Sequence, residues 1–414
     1  MVFLKLHAES ARATADDFDR LRKQGAAASP LAGIPVSIKD LFDIRGDVTT
    51  AGSRVLQHEP AARNDAQSVA RLRAAGLILI GRTNMTEFAY SGLGLNPHFG
   101  TPLNPFERPR GRIPGGSSSG AAISITDCMA FGALGTDTGG SCRIPAAYCG
   151  IVGFKPTARR VPLTGVFPLS PSLDSVGPLA ASVACCALLD AILADESHPN
   201  LARADLRGAR FAVPQSHVLE GTDSQVSASF SRALSALSRA GAHISEFALS
   251  ELGELPHINR KGGLAAAQAY AVHRDRLATR AGEYDPRVSV RILRGREQDE
   301  ADLLELRRAR ADLQQRLDPQ LEGFDAVLMP TTPTIAPTLE ELNTDQEYVR
   351  LNALALRNPS ITNFLDRCAI SVPCHELGTG PVGLMLMGKH GSDRRLLSLA
   401  AAVEALVSPG LPEE

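Results

Sequence analysis

Three times along this 414-residue chain a helical stretch closes on a glycine and leads straight into a short apolar run. Residues 65–75 end at Gly76 before the run 77–80; residues 224–241 precede 243–249; residues 300–323 precede 324–329. A glycine takes the left-handed conformation that ends a helix at little steric cost. Short apolar runs bounded by helices are strands buried on both faces, which requires helices on both sides of a largely parallel or mixed sheet. The expected fold class is therefore α/β, a large mixed β-sheet covered by helices on both faces. The same logic expects a helix over residues 10–24, with Ser10 as N-cap and Gly25 as its stop, and a strand over 34–38 after Ser29 and Pro30.

The composition shifts once. Residues 20–180 hold most of the Gly- and Pro-rich loops, whereas about 195–320 is charged, helical and poor in glycine. No repeat and no linker-like stretch separates the two. The strands expected near Ala326 and Ala369 must still find a sheet to join. Residues 1–414 therefore read as a single α/β domain with a helical variable portion at about 195–320.

A net charge of -2 supplies no field for nucleic acid or an anionic membrane. Arg307, Arg308 and Arg310 are flanked by acids, the pattern of a solvated helix face. Seven cysteines, odd in number and without a CxxC spacing, read as reduced thiols and support neither a disulfide framework nor a zinc site. The opening MVFLKLHAES has too short an apolar stretch for a signal peptide, and no segment reaches the length of a membrane span. The expectation is a soluble, cytoplasmic protein with no metal, no cofactor, and neither nucleic acid nor membrane as partner.

Chemistry concentrates in two Gly/Ser clusters. Ile113-Pro-Gly-Gly-Ser-Ser-Ser-Gly120 precedes an apolar helix, and Gly135-Thr-Asp-Thr-Gly-Gly-Ser141-Cys-Arg-Ile-Pro145 follows it. Both are held between apolar elements, unlike a flexible linker. Paired glycines let the backbone come close to a ligand and let successive N–H groups face one concavity, the shape of an oxyanion hole. A phosphate-binding loop of the Walker type would need Lys-Ser or Lys-Thr after its glycines, but Ser141 is followed by Cys142 and Arg143. Residues 116–120 also match GxSxG, which would make Ser118 a nucleophile with Asp366 and His375 or His390 as partners. That elbow should follow a strand directly, and here Arg112, Ile113 and Pro114 form a loop. Lys39 ends the apolar run 34–38, where burial would depress its pKa and make it a base near neutral pH. Lysines more often snorkel to water, and periodicity alone does not link Lys39 to Ser141.

Taken together the motifs resemble the amidase signature family. The blocks are Gly33-Ile-Pro-Val-Ser-Ile-Lys39-Asp40, Ile80-Gly-Arg-Thr-Asn-Met-Thr-Glu-Phe88, Gly115-Gly-Ser-Ser-Ser-Gly120 and Gly135-Thr-Asp-Thr-Gly-Gly-Ser141. Arg143-Ile-Pro-Ala-Ala-Tyr-Cys-Gly150, Gly153-Phe-Lys-Pro-Thr157 and Ser172-Leu-Asp-Ser-Val-Gly-Pro178 continue them, and Phe324 to Pro333 and Pro381 to Gly388 also fit. The resemblance covers most of the chain outside about 195–320. It implies the amidase signature fold and a Ser–cis-Ser–Lys triad, with Ser141 as nucleophile, Ser117 as proton relay after a cis peptide bond, and Lys39 as base. It further implies an oxyanion hole from the N–H groups of Thr138, Gly139, Gly140 and Ser141. Ala89 and Tyr90 would line the substrate pocket, and Asp137 and Arg143 would brace the nucleophile loop.

The activity so implied is hydrolysis of the C–N bond of a small-molecule amide, ureide or carbamate through a Ser141 acyl-enzyme. The block Asn363-Phe-Leu-Asp-Arg-Cys-Ala-Ile-Ser-Val-Pro373 is similar to amidases acting on urea-like compounds such as carboxybiuret. The alternatives are a glutaminase-type component of a tRNA-dependent amidotransferase, which shares the triad but needs a partner chain, and a non-catalytic binding protein on the same scaffold. Family members carry additional, largely helical residues before the block matching residues 2–6, so oligomerisation stays open and a homodimer is among the possibilities.

Overall fold

The computed structural model describes residues 1–26, 29–196 and 201–409. Residues 197–200, part of the stretch expected to be helical, lie outside the described residues. Eleven strands form one sheet: β1 (Phe3–Leu6), β2 (Pro35–Lys39), β3 (Ile78–Thr83), β4 (Gly132–Asp137), β5 (Val152–Lys155), β6 (Ser175–Ala180), β7 (Arg210–Pro214), β8 (His243–Phe247), β9 (Ala326–Pro330), β10 (Ala369–Pro373) and β11 (Gly383–Met387). Their order across the sheet is β1-β3-β2-β4-β6-β5-β10-β11-β9-β7-β8. β2 runs parallel to β3 and β4, and β7 runs parallel to β8 and β9. The central pairs are antiparallel, so the sheet is mixed.

Alternation along the strands shows why both faces need cover. In β11, Leu384 and Leu386 enter one core cluster and Met385 and Met387 the other; in β9, Ala326 and Leu328 part from Val327 and Met329 in the same way. A period of two with apolar residues at every position is the mark of a strand buried on both sides. The helix Glu300–Leu321 covers one face through Leu313, Leu317 and Leu321. The helix Asp393–Val407 covers the other through Leu396, Leu397, Ala400 and Val403. Each such leucine, taken out of water, contributes about 1.5–3 kcal/mol.

The three helix-glycine-strand units appear as the helices Gln67–Ala74, Ser224–Arg239 and Glu300–Leu321, leading into β3, β8 and β9. The first helix runs Ala8–Lys23, and Gly25 follows it at φ 74°. Its N-cap is His7, not Ser10. Ser10 lies within the first turn and donates its hydroxyl to the His7 carbonyl at 3.2 Å, so it serves the helix from inside. The portion at 195–320 contains several helices and also β7 and β8, which extend the sheet beyond β9. No helix among the described residues is long and apolar enough to cross a membrane.

Candidate active site

β2 and β4 are parallel neighbours, with Ile38 opposite Leu134, so their C-terminal ends emerge side by side. The first end carries Lys39; the second leads through Asp137 into the loop 138–142 and the helix Arg143–Cys149. The other Gly/Ser cluster enters the same region from the loop ahead of the helix Ser119–Thr126. Backbone bonds pin it in place: Gly116 N–H donates to the Gly92 carbonyl at 2.8 Å, and Thr86 N–H donates to the Ser117 carbonyl at 3.1 Å. The Gly116–Ser117 peptide is cis. A Cβ on Gly116 would stand 2.6 Å from the Gly94 nitrogen, which is why glycine occupies this position.

Lys39 is fully buried, and its Nζ donates to Ser117 Oγ at 2.7 Å and to Thr136 Oγ1 at 2.9 Å. Burial pushes its pKa down from the ordinary lysine range to about 8, against an opposing pull from the nearby Cys142, Asp137 and Asp174. Loss of hydration disfavours the ammonium, and among the described residues no carboxylate touches Nζ to restore it. A lysine so placed releases its proton within reach of physiological pH.

Ser141 opens onto a cavity of about 770 Å³, which Thr138, Gly139, Ala89 and Tyr90 also line. Lys39 and Ser117 are fully buried and are not among the residues that line this cavity. Ala89 and the preceding Phe88 hold positive φ of 60° and 49°, a conformation costing non-glycine residues on the order of 1–3 kcal/mol. The Tyr90 ring packs under the Arg291 guanidinium, 4.6 Å from the ring centroid.

The loop is held by one buried ion pair. Arg143 donates through Nε and Nη2 to Asp137 at 3.0 and 2.7 Å, and both side chains are fully buried. Asp137 also accepts from the N–H groups of Gly140 at 2.9 Å and Cys142 at 3.0 Å. Burial pushes the Asp137 carboxyl up, but the Arg143 charge and hydrogen bonds overcome it and hold its pKa at about 2. Gly140 therefore departs from the expected oxyanion set. Its N–H is spent on the Asp137 carboxylate, a stronger acceptor than water, and it does not line the cavity. The N–H groups of Gly139 and Ser141 have no acceptor among the described residues. Gly140 has φ +127°, and a Cβ there would lie 2.6 Å from both Ile144 Cδ1 and Pro359 Cβ.

Ser118 takes no part in this arrangement. It is fully buried, its hydroxyl donates to the Thr136 carbonyl at 3.5 Å, and it does not line the cavity. His390 lies at the Asp366 carbonyl, 2.8 Å away. Among the described residues no group of three or more His, Cys, Asp or Glu is placed to hold a metal ion, and all seven cysteines are free.

Three residues that motif reasoning passed over belong to the site. Thr136 holds Lys39 Nζ; alternation along β4 puts it on the face opposite its neighbours Gly135 and Asp137. Asp174, buried, accepts from Thr138 Oγ1 at 2.5 Å and from the N–H groups of Leu169 and Ser170 at 3.1 Å. Asn363 accepts from Arg143 Nη2 at 2.8 Å and donates to the Asp137 carbonyl and carboxylate, each at 3.0 Å. Each stands inside a block already noted, but no local pattern says which member of a block reaches across the fold.

The chain belongs to the amidase family, whose model, described as Amidase, matches residues 2–397. It is 38% identical over 409 residues to the 2-amino-5-chloromuconic acid deaminase of Comamonas testosteroni, covering 97% of this chain and 87% of the relative. It is 33% identical over 438 residues to one component chain of the glutamyl-tRNA(Gln) amidotransferase of Geobacillus kaustophilus (strain HTA426), covering 97% and 89%. A crystal structure described as that of an amidase superimposes with a TM-score of 0.87 at 32% identity, covering 98% of this chain and 92% of that one. The fold is that of the amidase signature enzymes, and the protein is an amide hydrolase.

Proposed function

We propose that this amidase cleaves the C–N bond of a small-molecule amide through a Ser141 acyl-enzyme. The observation that carries the reading is the buried Lys39 Nζ, 2.7 Å from Ser117 Oγ, at the end of the strand that neighbours β4, whose following loop carries Ser141 into the cavity lining. Neutral Lys39 accepts the Ser117 proton, Ser117 accepts that of Ser141, and Ser141 Oγ attacks the carbonyl. The N–H groups of Thr138, Gly139 and Ser141 take the developing oxyanion, each donor contributing about 2.7–4 kcal/mol. The relay then runs in reverse and delivers the proton to the leaving nitrogen. Water, deprotonated by the same relay, attacks the acyl carbon and frees Ser141. Asp137 and Arg143 hold the loop that presents these donors, and Ala89 and Tyr90 bound the substrate space.

A fluorophosphonate probe tests the assignment of the nucleophile. Wild type and Ser118→Ala should label at Ser141, as located by peptide mass spectrometry, whereas Ser141→Ala should neither label nor turn over amides. A probe found on Ser118 would overturn the reading. The 33% identity to an amidotransferase component favours one second reading, a glutaminase that passes ammonia to a partner chain. Ammonia release from glutamine that appears only with a copurifying partner chain would select it.

A further inference from the structure

The cavity in front of Ser141 differs in sign from the chain around it. Acidic and basic residues nearly balance, 45 against 43. Yet Arg260, Arg291, Arg294, Arg350 and Arg357 line this cavity, and among the described residues no Asp or Glu does. Two of the five have acidic neighbours: Arg350 pairs with Glu347 at 2.7 Å, and Arg260 lies 3.8 Å from Glu305. Arg291, Arg294 and Arg357 have no carboxylate within 4.0 Å among the described residues. Arg357 is partly satisfied by the Val218 carbonyl and the Asn358 side chain, each at 3.1 Å, and Arg294 donates to the Arg260 carbonyl at 2.5 Å.

Position on the helix sharpens the contrast. Arg287 and Arg291 both belong to the helix Pro286–Leu293, and Arg294 follows directly. Arg287 meets Asp345 at 3.0 Å on the side of the adjoining cavity, where Asp285 also lies and caps the helix. One turn further on, Arg291 stands between the two cavities and lines both, as Arg294 does, and among the described residues it has no carboxylate within 4.0 Å. Residues three apart lie on one side of a helical turn, so Arg291 and Arg294 bring two like charges to the lining of the same cavity, a pairing that an anion between them would relieve. The helix C-terminus favours cations there but leaves their charge in place. Half-buried on the Tyr90 ring, Arg291 is held to one orientation instead of roaming in solvent. A planar guanidinium fixed in this way matches a carboxylate through two parallel N–H donors.

Building on the hydrolase reading above, we infer that the substrate is itself an anion, an amide that also carries a carboxylate, and that Arg291 with Arg294 holds that carboxylate while Ser141 engages the carbonyl. Half-amides of dicarboxylic acids have this chemistry, and their hydrolysis yields the dicarboxylate. The stretch at 195–320 then supplies the specificity of a site whose chemistry comes from the rest of the chain.

The test separates binding from turnover. In a Ser141→Ala background, calorimetry compares the monoamides of malonic, succinic, glutaric and adipic acids with the matching diamides. At least one monoamide should bind tighter than its diamide by roughly 10- to 100-fold, the range of charge-assisted hydrogen bonding. That advantage should shrink as salt is raised. It should be lost in the Arg291→Gln/Arg294→Gln double variant and retained in Arg287→Gln, the control on the same helix. Circular dichroism verifies that each variant is folded. If no monoamide outbinds its diamide, or if the double variant keeps the advantage, the inference falls. A wild-type enzyme that neither labels at Ser141 nor hydrolyses any member of the series ends the hydrolase reading instead, while the binding comparison still decides the anion site.

Discussion

Lys39 shows how one side chain takes its chemistry from its surroundings. In water a lysine holds its proton to about pH 10.4. Here burial lowers the pKa to about 8, and the two neighbours within hydrogen-bond reach, Ser117 and Thr136, are neutral hydroxyls. A lowered lysine pKa means that the base form gains as pH rises, so kcat/KM should climb through an acid limb centred near pH 8 and level off above it. The limb belongs to the coupled Lys39–Ser117 pair. Lys39→Arg keeps the charge but cannot release a proton, so activity should drop by roughly 10²–10⁴-fold at every pH while the fold persists. A profile from about pH 5 to about pH 10 for both enzymes checks this. An active Lys39→Arg enzyme with an unchanged limb would mean that Lys39 is a structural cation.

At the scale of elements, the strand-loop-helix unit from β4 to the helix Arg143–Cys149 is the piece whose rigidity the chemistry needs. Its loop is tied at both ends to Asp137, which gathers two loop N–H groups and the Arg143 guanidinium inside a region closed to water. Arg143 also reaches the Pro359 carbonyl at 3.0 Å and Asn363 Oδ1, so the helix Asp345–Phe364 is joined to the nucleophile loop. Arg143→Met would leave the Asp137 carboxylate buried without its counter-ion, which costs about 3–5 kcal/mol. Urea unfolding should show that loss as a lower midpoint, and the Asp137→Asn/Arg143→Met pair should recover part of it by removing the stranded charge. Equal stability of Arg143→Met and wild type would contradict the role of the pair.

For the whole molecule, the junction that matters is β5 against β10, where Lys155 stands opposite Ala369 and Phe154 opposite Ile370. That pairing joins strands from the first and last parts of the chain and makes the eleven strands continuous. We propose that residues 1–414 fold as one unit for this reason. A single calorimetric transition, matching the loss of far-ultraviolet circular dichroism, is expected, whereas two resolved transitions would place a boundary within the sheet. The helix-glycine-strand units and the catalytic blocks were legible from the chain because each depends on neighbours a few residues away: a glycine that ends a helix, an apolar run, a pair of glycines ahead of a serine. Misreading Ser10 as a cap reflects the same locality, since one turn of helix decides between its hydroxyl and the backbone at His7. Thr136, Asp174 and Asn363 could not be read out in this way, because what selects them is a partner 36 to 226 positions distant along the chain. The same holds for the charge of the cavity. Nearly balanced composition hides it, and it exists only because folding brings Arg291, Arg294 and Arg357 into the lining of one cavity while Asp285 and Asp345 line the adjoining one. Short-range sterics and hydrophobic periodicity are written in the order of the residues, whereas burial, counter-ions and the side of a wall a guanidinium faces are properties of the packed interior.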